Sequence, residues 1–102
     1  MLLKSMRRSL STQRVPDQSR VVIVGGGIIG TSVAYHLAEL GWKDVVLLER
    51  QQLTSGTTWH AAGLMVTFGS LSETSTDFRK YTKSLYQNLE AETGQRTGFR
   101  PV

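Results

Sequence analysis

Four apolar residues, Val21-Val22-Ile23-Val24, run straight into Gly25-Gly26-Gly27-Ile28-Ile29-Gly30, and nothing else in the sequence narrows the folding options as far. Branched side chains favour a strand, and G-x-G-x-x-G at its end is the turn by which a strand passes into a helix. Gly25 can take the sharp turn out of the strand. Gly27 has no Cβ to hold a pyrophosphate away from the backbone, and Gly30 lets the helix lie close on the sheet. A helix beginning near Ile28 presents unpaired N–H groups and the positive end of its dipole, which suits phosphate without any basic side chain. Ile29, Val33, Leu37 and Leu40 recur every three or four residues and predict a stripe facing the sheet. Gly41 predicts the helix stop.

Val45-Val46-Leu47-Leu48 is continuously apolar, as a parallel strand covered on both faces is, and Glu49 follows it, 19 residues after Gly30. A spacing of about 20 residues is that of the carboxylate that accepts hydrogen bonds from an adenosine ribose. An acid there repels a 2′-phosphate, which disfavours NADP even with Arg50 beside it. FAD and NAD remain compatible. The fold class that follows is α/β: the N-terminal part of a Rossmann-like dinucleotide-binding domain, strand-helix-strand plus a further amphipathic helix, incomplete in this chain.

Charge is distributed unevenly. Residues 1–20 hold Lys4, Arg7, Arg8, Arg14 and Arg20, five of the 12 basic residues, against one of the eight acids, Asp17. The remainder balances at seven of each, so the net charge of +4 belongs to the leader and does not point to nucleic acid. An Arg- and Ser-rich, acid-poor leader has the composition of a mitochondrial transit peptide, assigned here to residues 1–19, and Arg8-Ser9-Leu10-Ser11 resembles a presequence cleavage site. A basic disordered tail is the other reading of the same residues. The leader lacks the apolar centre of a secretory signal, and no stretch approaches the roughly 20 apolar residues of a membrane span. With no cysteine, disulfides, thiolate metal sites and a cysteine nucleophile drop out, and two histidines make a dedicated metal site improbable. Strands as apolar as VVIV and VVLL need neighbouring strands and helical layers that one complete helix cannot supply. The expectation is a truncated piece of a longer domain, marginal or unfolded alone and inactive by itself, with Thr97 to Val102 leading into further β structure; a small independent domain is the other reading.

After Arg50 comes Leu53-Thr54-Ser55-Gly56-Thr57-Thr58-Trp59-His60-Ala61-Ala62-Gly63-Leu64. Ser55 is a candidate helix cap, and small hydroxylated residues at a helix start can donate to a second face of a pyrophosphate; an ordinary capped helix explains the same residues. Further on, Ser70-Leu71-Ser72-Glu73 fits a capping box. Phe78, Tyr81, Leu85 and Leu89 predict an amphipathic helix from about Ser72 to Thr93, ended by Gly94, with Arg79, Lys80, Lys83, Glu90 and Glu92 on its solvated side and the aromatic residues in a core. His36 falls beside the apolar stripe of the first helix, as a boundary histidine. His60 falls in the small-residue stretch after Glu49, and a neutral imidazole there could bond covalently to an electrophilic cofactor, although its local surroundings are equally those of a packing histidine.

At LERQQLTSGTTWHAAGL, and again at LYQNLEAETGQRTGF, the sequence resembles the mitochondrial sarcosine dehydrogenase and dimethylglycine dehydrogenase family of flavoproteins, from about Arg20 to the last residue. The resemblance makes residues 20–102 the N-terminal portion of an FAD-dependent oxidoreductase domain. In that family the histidine of TWHAAG carries FAD through a bond from an imidazole nitrogen to the 8α-methyl carbon of the flavin, and the matching residue is His60. By the same resemblance Ile28 and Ile29 join Gly25, Gly27 and Gly30 over the pyrophosphate, and Glu49 and Arg50 serve the adenosine end. Gly56, Thr57, Thr58, Trp59, Ala61, Ala62, Gly63 and Leu64 line the approach to the isoalloxazine. The implied chemistry is oxidation of an N-methyl amine, sarcosine or dimethylglycine, by hydride transfer to covalent FAD in the mitochondrial matrix. The one-carbon unit then passes to tetrahydrofolate in a missing C-terminal part, and electrons pass to an electron-transfer flavoprotein.

Two other readings stand beside this one. The regulatory subunit of pyruvate dehydrogenase phosphatase is a non-catalytic relative that differs at the linking motif, where this chain has Trp59-His60. An unrelated NAD-dependent Rossmann enzyme explains residues 20–50 and leaves TSGTTWHAAGL without a purpose.

Overall fold

The computed structural model describes residues 15–69 and 71–102. They divide into two compact units, one ending at Ala61 and one running from Ala62 to Val102. Most of the residues 1–19 read as a leader, and Ser70, lie outside the described residues.

The first unit holds β1 (Val21–Val24), α1 (Ile28–Glu39) and β2 (Val45–Leu48). The strands pair in parallel, Val21 opposite Val45 through Val24 opposite Leu48, and Gly25 N–H extends the ladder to the Leu48 carbonyl at 2.8 Å. Parallel pairing obliges the chain to cross over between the strands, and α1 is that crossover. It ends as expected: Gly41 has φ +86°, Trp42 N–H bonds the Leu37 carbonyl and Gly41 N–H the Ala38 carbonyl. This pair of bonds is a Schellman stop, which needs a left-handed residue at the glycine position. The other end of the strand pair is stitched by polar contacts. Ser19 Oγ donates to the Asp44 carbonyl, Arg20 N–H to the Asp44 carboxylate, and the Arg20 guanidinium lies 4.6 Å over the Trp42 ring.

The face of α1 laid on the sheet differs from the predicted stripe. Ile29 is 79% exposed and Leu40 76%, and Val33 is also exposed, whereas Ala34 is buried at 4%. The reason lies at Gly30, where an added Cβ would fall 1.9 Å from the Gly25 carbonyl oxygen. The helix lies so close to the turn that no side chain fits at this position, Ala34 one turn on is the buried residue, and of the predicted stripe Leu37 alone is half-buried. The strands are likewise not covered on both faces among the described residues, for Val22 and Val24 are exposed and point to the same side.

The second unit is built on α2 (Glu73–Thr93). Its cap is Ser72, whose side chain accepts from Ser75 N–H at 3.4 Å; the cap is a single serine rather than the predicted box, since Glu73 falls at the first helical position, where its charge suits the dipole, and not at the third. Gly94, φ +67°, ends the helix as predicted. Phe78 and Tyr81 are exposed rather than in a core, since α2 buries no residue among those described. Arg79 is not simply solvated: it donates to the Phe68 carbonyl. Glu90 accepts from both the amide and the hydroxyl of Thr97, which hold its carboxyl below the usual glutamate range. The segment after Gln95 forms no strand. No helix among the described residues is long and apolar enough to cross a membrane.

Candidate functional site

The site grows from the glycine turn. Gly25 has φ +108°, a conformation that side chains rarely adopt, and it turns β1 towards α1. Gly26, which the motif leaves free to vary, is buried and held from both sides. Its N–H donates to Glu49 Oε2 at 2.8 Å, and its carbonyl accepts from Thr54 N–H at 2.9 Å. A Cβ there would meet Leu53 Cδ2 at 2.6 Å and Glu49 Cβ at 3.2 Å. The middle residue is therefore as constrained as its neighbours, and its identity in the sequence was the one available sign.

Glu49 stands at the end of β2, where the acid was predicted. Its second oxygen accepts from Gln51 N–H at 3.0 Å. The Gly26 amide, followed by that of Gln51, holds the carboxyl below the ordinary glutamate range, and Arg50 adds to the effect. Stabilising hydrogen bonds to the charged form do this whatever the exposure. A carboxylate offers about four lone-pair positions, so two amide bonds leave capacity for a ribose hydroxyl.

From Gln52 to Ala61 the chain winds in successive turns rather than in the helix that a Ser55 cap would start. Each of Ser55, Trp59, His60 and Ala61 donates its N–H to the residue three places earlier. The winding brings Thr58 to the start of α1, whose own cap position is Gly27 and has no side chain to offer. Thr58 Oγ1 accepts from Ile28 N–H at 2.8 Å instead, a cap delivered from 30 residues away. His60 is exposed, and its Nδ1 lies 2.8 Å from the Gly56 carbonyl. A carbonyl only accepts, so in the neutral ring Nδ1 carries the proton and Nε2 the lone pair.

An open cleft of about 840 Å³ runs in front of the turn. Among the sequence-predicted residues, Gly25, Gly27, Ile28, Ile29, Gly30, Glu49, Arg50, Gly56, Thr57, Thr58 and Ala61 line it, while Trp59 and His60 do not. Val33 and Gln51 line it too, without having been predicted as site residues, and so does Ser55, which the sequence offered as a cap beside the pyrophosphate. Ala62, Gly63 and Leu64 belong to the second unit. A Cβ at Gly27 would lie 3.1 Å from Thr58 Oγ1, directly before the helix N-terminus. The residues thus fit a pyrophosphate: a backbone bare of side chains, first-turn N–H groups, and a hydroxyl beside them. No group of three or more potential metal ligands occurs among the described residues.

A glycine turn between parallel strands, with a carboxylate in register at the next strand end, defines a dinucleotide-binding unit. Residues 20–102 match the profile of the DAO family, FAD dependent oxidoreductase, and the chain belongs to that family. It is 52% identical over 86 residues to human "Dimethylglycine dehydrogenase, mitochondrial", covering 81% of this chain and 10% of that protein. To mouse "Pyruvate dehydrogenase phosphatase regulatory subunit, mitochondrial" it is 46% identical over 100 residues, 93% of this chain and 11% of that protein. To human "Sarcosine dehydrogenase, mitochondrial" it is 44% identical over 86 residues, 83% of this chain and 9% of that protein. The chain spans about a tenth of the length of these curated relatives. Family membership sets aside the reading as an unrelated NAD enzyme.

Proposed function

We propose that the chain is the FAD-binding start of a mitochondrial flavoprotein dehydrogenase that oxidises an N-methyl amine. The observation that carries this reading is the His60 ring, with Nδ1 committed to the Gly56 carbonyl and Nε2 left free. Nε2 is the nitrogen that would bond the 8α-methyl carbon of the flavin. Gly25, Gly27, Ile28, Ile29 and Gly30 would hold the pyrophosphate, with Thr58 beside them. Glu49 would take the adenosine ribose and Arg50 would flank it. Gly56, Thr57, Trp59, Ala61, Ala62, Gly63 and Leu64 would line the path towards the isoalloxazine. The bound flavin supplies a hydride acceptor for the carbon attached to the amine nitrogen, and the protein's part is to orient and hold it. The names of the dimethylglycine and sarcosine dehydrogenases support the substrate class, and those of all three relatives support a mitochondrial address. The Arg- and Ser-rich, acid-poor composition of residues 1–19 supports their removal as a transit peptide, and the resemblance at TWHAAG supports matrix residence, transfer of the one-carbon unit to tetrahydrofolate and of electrons to an electron-transfer flavoprotein.

The similarity to the phosphatase regulatory subunit supports a second, non-catalytic reading. One experiment separates the two. In the full-length protein, flavin fluorescence is expected to stay with the denatured chain on a gel and to vanish in His60→Ala. A wild-type chain that carries no flavin after denaturation overturns the covalent site, and one that also yields no flavin on extraction favours the regulatory reading.

A further inference from the structure

Thr54 is the one non-glycine residue with positive φ, +67°, among the described residues. A threonine is a poor choice for the left-handed region, because its branched Cβ crowds the backbone there, and such a conformation persists only where its surroundings enforce it. Here the enforcement is visible. Thr54 N–H is bonded to the Gly26 carbonyl, and the preceding side chain, Leu53, lies against Gly26. Immediately beyond Thr54 the chain begins the turns that carry Thr58 to Ile28 and His60 to Gly56.

We propose that Thr54 is a positioning residue: its left-handed backbone, tied to the glycine turn, aims the 55–60 segment so that Thr58 seats on α1 and His60 takes the orientation needed for flavin attachment. Its backbone conformation does this, and its hydroxyl does not. The part concerning attachment rests on the reading of His60 given above, whereas the seating of Thr58 does not.

The test uses the full-length protein with Thr54→Asn, Thr54→Gly and Thr54→Val. Asparagine and glycine accept the left-handed region; valine keeps the branch and loses the hydroxyl. The first readout is amide exchange in flavin-free protein, as protection of Ile28 N–H relative to Tyr35 N–H in the middle of the same helix. The Asn and Gly variants, freed of the penalty a branched side chain meets there, are expected at least about fivefold above wild type, with Val equal to it. A merely structural role would shift both amides together and leave their ratio unchanged. The second readout is covalent flavin divided by total flavin, expected to follow the same order. Loss of Ile28 protection in Asn and Gly as well as Val would assign the role to the hydroxyl and overturn the proposal, and so would an unchanged ratio across the series. If wild type attaches no flavin, the reading of His60 fails, while the exchange ratios still decide the role of Thr54.

Discussion

The two units hold themselves together in opposite ways. In the first, the bonds that matter join residues far apart in sequence: Gly26 to Glu49, Gly26 to Thr54, Ile28 to Thr58. In the second they are local, a serine three residues from the amide it caps and a glutamate seven residues from the threonine it holds. Neither unit relies on a large core, since Ala34 is the only buried hydrophobic side chain among the described residues. The contrast separates a region whose polar contacts shape a ligand cleft from one whose contacts cap a helix and fasten it to the segments on either side. Damage to the first should therefore spread to cofactor binding, and damage to the second should stay where it is made.

The sharpest way to break the first unit is Gly30→Ala. Its Cβ would fall 1.9 Å from a backbone oxygen that cannot move aside as a side chain could. A destabilisation at the upper end of overpacking, about 3 kcal/mol, is expected in urea unfolding of the full-length protein, with loss of most bound flavin. Wild-type flavin content and stability in this variant would mean that helix and turn do not touch as described.

A smaller effect is expected from pH. The carboxyl of Glu49 is lowered relative to its unfolded value by the Gly26 and Gln51 amides. A depressed folded pKa contributes stability that is complete above the unfolded value, about 4.3, and is lost as pH falls through the folded one. Stability to urea followed downward from pH 6 should therefore decline below about pH 4.3 in wild type, and this component should be missing in Glu49→Gln. Identical profiles would show that the carboxylate does not hold the turn.

The smallest effect belongs to the second unit. Ser72→Ala removes the cap of α2 and should cost about 1 kcal/mol of helix stability, seen as faster amide exchange in the first turn of α2. Flavin per chain should not change. A drop in flavin would join the two regions that the contrast keeps apart.

Much of this organisation was legible in the residues. The glycine spacing, the second apolar run and Glu49 gave β1, α1, β2 and the part of the cleft made by the turn and the acid, because each depends on local chemistry: a turn needing glycine, a strand needing branched side chains. Gly56, Thr57, Thr58 and Ala61 were reached only through the family resemblance. The ends of both helices were legible at Gly41 and Gly94 for the same reason. The sheet-facing side of α1 was not. Periodicity ranks residues by size and polarity, whereas here contact distance at Gly30 decides which side can approach. The clamp on Gly26 and the cap from Thr58 were equally hidden, since both join segments whose meeting depends on how the chain returns after β2. Ser55 looked like a cap because capping chemistry is local, but the turns of residues 52–61 took the backbone elsewhere.

The strand register carries a last consequence. Val24 lies opposite Leu48, so the residues that follow them, Gly25 and Glu49, emerge at the same level. Sliding β2 by one residue would carry the carboxylate about 3.3 Å along the strand and turn it to the other side of the sheet. The number of residues between glycines and acid is thus a by-product of how long the crossover happens to be. The ladder is the ruler. An insertion in the Gly41–Asp44 connection should leave the site's dimensions intact, whereas a single residue gained or lost inside either strand should ruin them.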